Sequence, residues 1–152
     1  MCSKVLPYFA SGAVTKGFGR GSKALGIPTA NLPESVVNNL PEELDNGVYY
    51  GWASIQGKVV KMVASIGWNP YFKNEKKSLE VHLLHKFEND FYGEELKVII
   101  AGYIRPERDF SCLDGLIKEI KNDIIIAEQR LEEPIVNKLK HNDFLMINKT
   151  ND

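Results

Sequence analysis

Residues 48–68, VYYGWASIQGKVVKMVASIGW, decide the fold class. The first block, residues 48–55, is rich in Tyr, Trp and Ile, which favour strands. Gln56 and Gly57 then form a two-residue turn signal. In the second block, residues 58–68, apolar side chains recur at every other position, which is the period of a half-buried strand. The stretch therefore predicts an antiparallel hairpin.

Shorter strand patterns flank this hairpin. Residues 9–15 are small and β-branched, and they predict a strand. Residues 78–85 alternate between an apolar face and a face that carries Glu80 and His82. Alternation resumes over residues 96–104. Because turns rather than helices join these short strands, we expect antiparallel pairing, either closed as a small barrel or folded as a sandwich.

One long helix is predicted near the C-terminus. Its apolar residues follow the 3.6-residue period: Leu113, Leu116, Ile117, Ile120, Ile124, Ala127 and Leu131. Ser111 is the expected N-cap, with Asp114 completing a capping box, and Pro134 ends the helix. We expect the apolar face to pack on the strands and cover one end of the barrel. Residues 135–152 predict a polar segment that docks loosely or is disordered.

Composition excludes several classes of protein. The chain has 152 residues and a net charge of −1, so no broad basic surface indicates nucleic acid or anionic membrane. No apolar run approaches the roughly 20 residues of a membrane span. The two cysteines lack metal-site spacing and no export signal precedes them, so we expect a cytoplasmic protein. We also expect it to be a monomer.

The glycine-rich stretch at residues 17–31, GFGRGSKALGIPTAN, is the main functional signal. Glycines let backbone amides approach a ligand closely, and with Arg20 and Lys23 they suit a phosphate chain. In an extended strand, Thr29 and Asn31 point the same way, so their two oxygens can face one cation. Mg²⁺ prefers oxygen ligands and often shares them with substrate phosphates. We interpret the stretch as a loop that holds a nucleoside triphosphate with Mg²⁺.

Two better-known phosphate loops do not fit this stretch. A P-loop requires Lys and Ser or Thr after its last glycine, but Ile27 and Pro28 follow Gly26. The dinucleotide fingerprint requires a helix to begin within the glycine pattern. Gly26 and Pro28 break any helix at that point, so neither motif explains the loop.

Residues 17–31 resemble the glycine-rich flap and PTAN motif of riboflavin kinases, which make FMN from riboflavin and ATP. Further segments fall in that family's order and spacing: GVYYGW at 47–52, SIGWNP at 65–70, EVHLLH at 80–85, DFYG at 90–93 and RPE at 105–107. The resemblance covers about residues 7–134. It implies one domain over residues 1–152, a six-stranded Greek-key antiparallel barrel with one long C-terminal helix, and residues 135–152 as an extension.

The resemblance also implies roles for individual residues. Glu80, on the polar face of its strand, would be the catalytic base. Thr29 and Asn31 would bind Mg²⁺, with Zn²⁺ or Mn²⁺ as alternatives. The implied ATP contacts are Gly17, Lys23, Thr29, Leu83, His85 and Tyr92. The implied flavin contacts are Arg105, Arg108, Phe110 and Leu113.

Two other functions remain open on the residues alone. A small β-barrel could bind a flavin or nucleotide without turning it over, because a fold does not select its use. A kinase acting on another small alcohol would also need Glu80, Thr29 and Asn31. No segment resembles the adenylyltransferase domain that is fused to bacterial members of the family, so we do not expect FAD synthesis.

Overall fold

The computed structural model describes residues 6–16, 26, 28–68, 77–85, 91–108 and 112–146. The strands of these residues are β1 Tyr8–Ala13, β2 Thr15–Lys16, β3 Thr29–Asn31, β4 Gly47–Ile55, β5 Lys58–Trp68, β6 Lys77–Leu83 and β7 Glu95–Pro106. The helices are α1 Glu34–Val37, α2 Leu113–Leu131 and α3 Pro134–Asn137, followed by 3₁₀ turns at Lys138–His141 and Asp143–Leu145. The described helices include none that is long and apolar enough to cross a membrane.

The strands form one antiparallel sheet in the order β1-β7-β4-β5-β6-β3-β2. β1 and β2 lie at its two ends but are consecutive parts of residues 8–16, separated only by Val14. The first part pairs with β7 and the second with β3, which brings the two ends of the sheet together. β7-β4-β5-β6 follows the Greek-key order. The predicted small antiparallel Greek-key barrel is therefore confirmed.

The hairpin predicted at residues 48–68 is present as β4 and β5. The register runs from Gly47 opposite Ile66 to Ile55 opposite Lys58. Gln56 and Gly57 have φ values of 52° and 79°, so both adopt the left-handed conformation. A two-residue turn of this kind matches the right-handed twist of its strands.

The sheet has two buried faces, and the barrel interior is one of them. Tyr49, Met62, Ile66, Leu79 and Val81 are fully buried there. On the outer face, α2 packs across β4, β5 and β7. The outer cluster contains Val48, Tyr50, Trp52, Val63, Ile99, Ala127, Leu131 and Leu145. The prediction that the helix covers one end of the barrel is thus corrected, because the apolar outer side chains of β4 give the helix a larger surface to bury.

The predicted capping box of α2 is wrong. The N-cap is Cys112 in an extended conformation, and no side chain among the described residues caps it. Ser111 itself lies outside the described residues. α2 ends at Leu131, three residues before Pro134, and Pro134 begins α3. Proline suits that first helical position because its missing N–H has no intrahelical partner there.

The described part of the C-terminal segment packs closely on the barrel. Leu145 is buried, and the Phe144 ring meets Phe9 edge-on with the ring centroids 5.2 Å apart. Trp52 Nε1 donates a hydrogen bond of 3.0 Å to the carbonyl of Val136. The segment was expected either to dock loosely or to be disordered. Residues 135–146 dock on the barrel, and their contact is closer than the polar sequence indicated.

Candidate active site

A row of polar residues crosses the outer face of the sheet. Asn31 of β3 lies opposite Glu80 of β6, which in turn lies opposite Ser65 of β5. Thr29 and His82 form the neighbouring pair. Directly opposed residues point to the same face, with their Cβ atoms roughly 4.5–5.5 Å apart. The register therefore brings together three residues predicted for the site, Thr29, Asn31 and Glu80.

Apolar alternation on β6 sets the direction of Glu80. Leu79, Val81 and Leu83 are fully buried in the barrel, and Ala30 faces Val81 from β3. Since side chains alternate along a strand, Glu80 must then point outward. A slip of one residue would turn Glu80 into the apolar core, so the hydrophobic pattern holds this register.

Asn31 presents an acceptor oxygen that suits a cation. The residue is 6% exposed, and its Oδ1 atom has no hydrogen-bond partner among the described residues. Leaving a buried acceptor unpaired costs roughly 1–3 kcal/mol. The hydroxyl of Thr29 and the carboxylate of Glu80 lie on the same face and add further oxygens, which Mg²⁺ prefers. The described residues include no group of three or more His, Cys, Asp or Glu side chains that could hold a metal ion.

His82 is a site neighbour for which the sequence predicted no role. Its Nε2 atom lies 4.0 Å from Glu80 Oε1, and its Nδ1 atom is buried with no partner in the described part of the chain. Burial lowers the pKa of His82, while the negative charges of Glu80 and Asp123 act in the opposite direction. The imidazole beside Glu80 is therefore neutral near pH 7.

The pH dependence of stability tests this burial. Because the folded-state pKa of His82 is lowered, the unfolded chain binds more protons than the folded one just below the ordinary value of 6.5. The free energy of unfolding then falls as the pH drops through that window. We expect His82→Gln to flatten this dependence in urea unfolding at pH 7.5, 6.5 and 5.5. His141→Gln, at an exposed position, should follow the wild type; equal slopes for His82→Gln and the wild type would contradict the assignment.

A second polar cluster joins β7 to α2. Arg105 Nε and Nη2 donate hydrogen bonds of 2.9 Å each to the two carboxylate oxygens of Asp123. Glu119 Oε2 lies 3.2 Å from Arg105 Nε and 3.5 Å from Arg108 Nη1. Burial raises the pKa of Asp123, and its contacts with Arg105 act against that rise. A buried carboxylate of this kind depends on its guanidinium partner.

Sequence reasoning missed Asp123 and Glu119, although Asp123 carries a detectable signal. It lies on the apolar stripe of α2, three residues after Ile120 and four before Ala127, and both of these are buried. A charged residue on a buried helix face needs a partner. The helical period could therefore have predicted that Asp123 is paired, but it could not have identified the partner.

The remaining predicted site residues are more dispersed. The Leu83 side chain is fully buried in the barrel, and its amide donates to the carbonyl of Pro28 at 3.0 Å. His85 and Tyr92 are exposed. Leu113, the first residue of α2, is exposed. Gly17, Lys23 and Phe110 lie outside the described residues, and the roles of all these residues stay predictions.

The chain resembles known proteins along most of its length. Residues 5–131 match the family model described as Flavokinase: Riboflavin kinase. The chain is 58% identical to a riboflavin kinase of Homo sapiens over 146 residues, which cover 95% of this chain and 94% of that protein. It is 40% identical to a riboflavin kinase of Kluyveromyces lactis, covering 84% of this chain and 85% of that protein. The crystal structure of a riboflavin kinase from Trypanosoma brucei superposes with a TM-score of 0.68 at 30% identity, covering 88% of this chain and 85% of that one.

Proposed function

The chain belongs to the riboflavin kinase family, and from that premise we propose that it transfers the γ-phosphate of Mg-ATP to the ribityl 5′-hydroxyl of riboflavin, giving FMN and ADP. One observation carries the proposal for this site. The pairing of β3 with β6 places Glu80 directly opposite Asn31, whose side-chain oxygen is buried. A base and a cation-binding oxygen therefore share one face, as phosphoryl transfer to an alcohol requires.

In the proposed mechanism Glu80 acts as the general base. It accepts the proton of the 5′-hydroxyl, whose oxygen forms a bond to the γ-phosphorus while the bond from that phosphorus to the bridging oxygen of ADP breaks. Assistance of this kind contributes roughly 10²–10⁴ in rate. Glu80 suits the role because a regular strand with a buried opposite face holds its backbone in place.

Thr29 and Asn31 are the residues that would hold Mg²⁺. When bound there, the ion would neutralise charge on the triphosphate. The buried oxygen of Asn31, unpaired among the described residues, supports this assignment. Thr29 lies two residues away on the same face of β3, so the two oxygens can serve one ion.

We expect Asn31→Ala to raise the Mg²⁺ concentration needed for half-maximal FMN formation. Loss of residues that only support metal ligands costs roughly 10-fold or more in metal affinity or activity, so a direct ligand should cost at least that. The measurement is the rate as a function of Mg²⁺ at saturating ATP and riboflavin. Asn39→Ala, at an exposed position after α1, is the matched control. An unchanged Mg²⁺ dependence in Asn31→Ala would remove Asn31 from the site.

The substrate contacts are proposed with the same residues as above. Gly17, Lys23, Leu83, His85 and Tyr92 would surround ATP together with Thr29. Arg105, Arg108, Phe110 and Leu113 would border the flavin. The support for the second group is that Arg105, Arg108 and Leu113 lie where β7 ends and α2 begins.

The direct test is to incubate the protein with riboflavin, ATP and Mg²⁺ and to separate FMN from riboflavin by chromatography. We expect ATP-dependent FMN that disappears when Mg²⁺ is chelated. A protein that binds riboflavin yet forms no FMN would instead be a non-catalytic flavin-binding barrel. A protein that consumes ATP only with another alcohol would be a kinase of different specificity. Membership of the riboflavin kinase family disfavours both outcomes.

A further inference from the structure

Two carboxylates on α2 hold the two arginines proposed to border the flavin. Glu119 and Asp123 are four residues apart, so they lie on one face of the helix, one turn from each other. Asp123 contacts Arg105, and Glu119 contacts both Arg105 and Arg108. Arg105 is the second-last residue of β7, whereas Arg108 lies two residues beyond the strand. The helix therefore reaches both arginines from a single side.

The contact between Asp123 and Arg105 fixes the plane of the guanidinium. Two parallel hydrogen bonds of 2.9 Å define its orientation, and Nη1 donates a further bond of 3.1 Å to the carbonyl of Pro106. Asp123 is 2% exposed, and the Arg105 side chain is 12% exposed. A bidentate pair that is shielded from water holds one geometry far better than an exposed pair does.

The distance between Arg105 and Glu80 would allow the two residues to contact opposite ends of one riboflavin molecule. In the cross-strand row, Ser65 and Val48 separate Glu80 from Arg105. Three strand spacings give a separation of roughly 14 Å. A tricyclic ring with a five-carbon side chain can bridge such a distance, with its terminal hydroxyl at Glu80 and its ring near the arginines.

We propose that Glu119 and Asp123 are positioning residues that hold Arg105 and Arg108 in their flavin-binding geometry before riboflavin arrives. The inference rests on the proposed function, since it takes these arginines as flavin contacts. Orienting long side chains in advance removes part of the entropy cost of binding. We expect Asp123 to contribute more to this positioning than Glu119 does. The Asp123–Arg105 pair is buried and bidentate, whereas the Glu119–Arg108 contact is longer and partly exposed.

The test is the dissociation constant of riboflavin, followed by its own fluorescence in titrations of the full chain without ATP. We expect Asp123→Asn to weaken binding roughly 10-fold, the upper end of the cost of ordering one long side chain on binding. Glu119→Gln should weaken it about two- to fivefold, as loss of a partly exposed pair does. Glu128→Gln, an exposed position on the same helix, should change it less than about twofold. The KM for ATP should stay at the wild-type value in all three variants.

A purely structural role predicts a different result. Asp123→Asn would then lower the melting temperature while the riboflavin dissociation constant stayed at the wild-type value, and that result would overturn the proposal. If Asp123→Asn does not fold, the riboflavin dissociation constant of Glu119→Gln tests the proposal instead. Because Glu119 contacts both arginines, its effect should largely disappear in an Arg105→Ala/Arg108→Ala background if Glu119 acts through them. An absent effect, or an equal effect in both backgrounds, would overturn the proposal.

The two proposals fail in distinguishable ways. If the wild type makes no FMN, the proposed function is wrong. If the wild type makes FMN while Asp123→Asn and Glu119→Gln bind riboflavin as tightly as the wild type, the function stands and the positioning role is wrong.

Discussion

Glu80→Gln is expected to lower kcat for FMN formation by roughly 10²–10⁴-fold. Glutamine keeps the size of the side chain but cannot accept the proton of the 5′-hydroxyl at neutral pH. The change should leave the barrel intact, because Glu80 points outward from a strand whose packing comes from Leu79, Val81 and Leu83. The measurement is initial-rate FMN formation at saturating ATP, riboflavin and Mg²⁺, with the melting temperature recorded for each protein.

Glu95→Gln is the matched control for this variant. Glu95 is also a strand glutamate, but it is exposed at the start of β7, pairs with Ala13 and is remote from the cross-strand row of Glu80. Its kcat should equal that of the wild type. If Glu80→Gln made FMN at an undiminished rate, the base assignment would be wrong, although the activity itself would stand.

Gly51→Ala is expected to destabilise the protein by about 3 kcal/mol, the upper end of the usual cost of overpacking. Gly51 lies in the middle of β4, where a Cβ atom would overlap the carbonyl oxygen of Ile99 and meet Met62 Cε at 2.9 Å. The carbonyl belongs to β7, which is paired on both sides and cannot shift alone. Urea unfolding at pH 7.5 measures the change in the free energy of unfolding.

Gly93→Ala separates steric overlap from backbone conformation. A Cβ atom at Gly93 meets nothing within 4 Å among the described residues, but its φ of +89° disfavours any side chain. The expected cost is about 1 kcal/mol. If Gly51→Ala lowered the free energy of unfolding no more than Gly93→Ala does, the sheet would have adjusted to the new methyl group. The close approach of β4 and β7 would then not be the reason for a glycine at position 51.

Much of the barrel was predictable because strand patterns are local. The alternation in residues 58–68 and 78–85 indicated which side chains enter the core, and the observed faces agree. The turn at Gln56 and Gly57 was equally predictable, because its conformation depends on those two residues. The outward direction of Glu80 follows from the same alternation, and so it was foreseen.

Contacts between distant segments were less accessible to sequence reasoning. Asp123 and Glu119 appeared only as polar residues of a helix, because their partners Arg105 and Arg108 belong to another element. The position of α2 on the outer face was missed for a similar reason. An apolar stripe shows that a helix is buried, but several surfaces of a barrel can cover it.

Amino-acid order by itself determined where this chain forms its main strands and its long amphipathic helix, and that Glu80 turns away from the core. These properties repeat every 2 or 3.6 residues, so neighbouring residues suffice to set them. Only the tertiary structure decided that Asn31 lies opposite Glu80 and that Asp123 meets Arg105. Those pairs join residues far apart in the chain, and they form because closing the barrel and burying α2 on its outer face remove the most apolar surface from water.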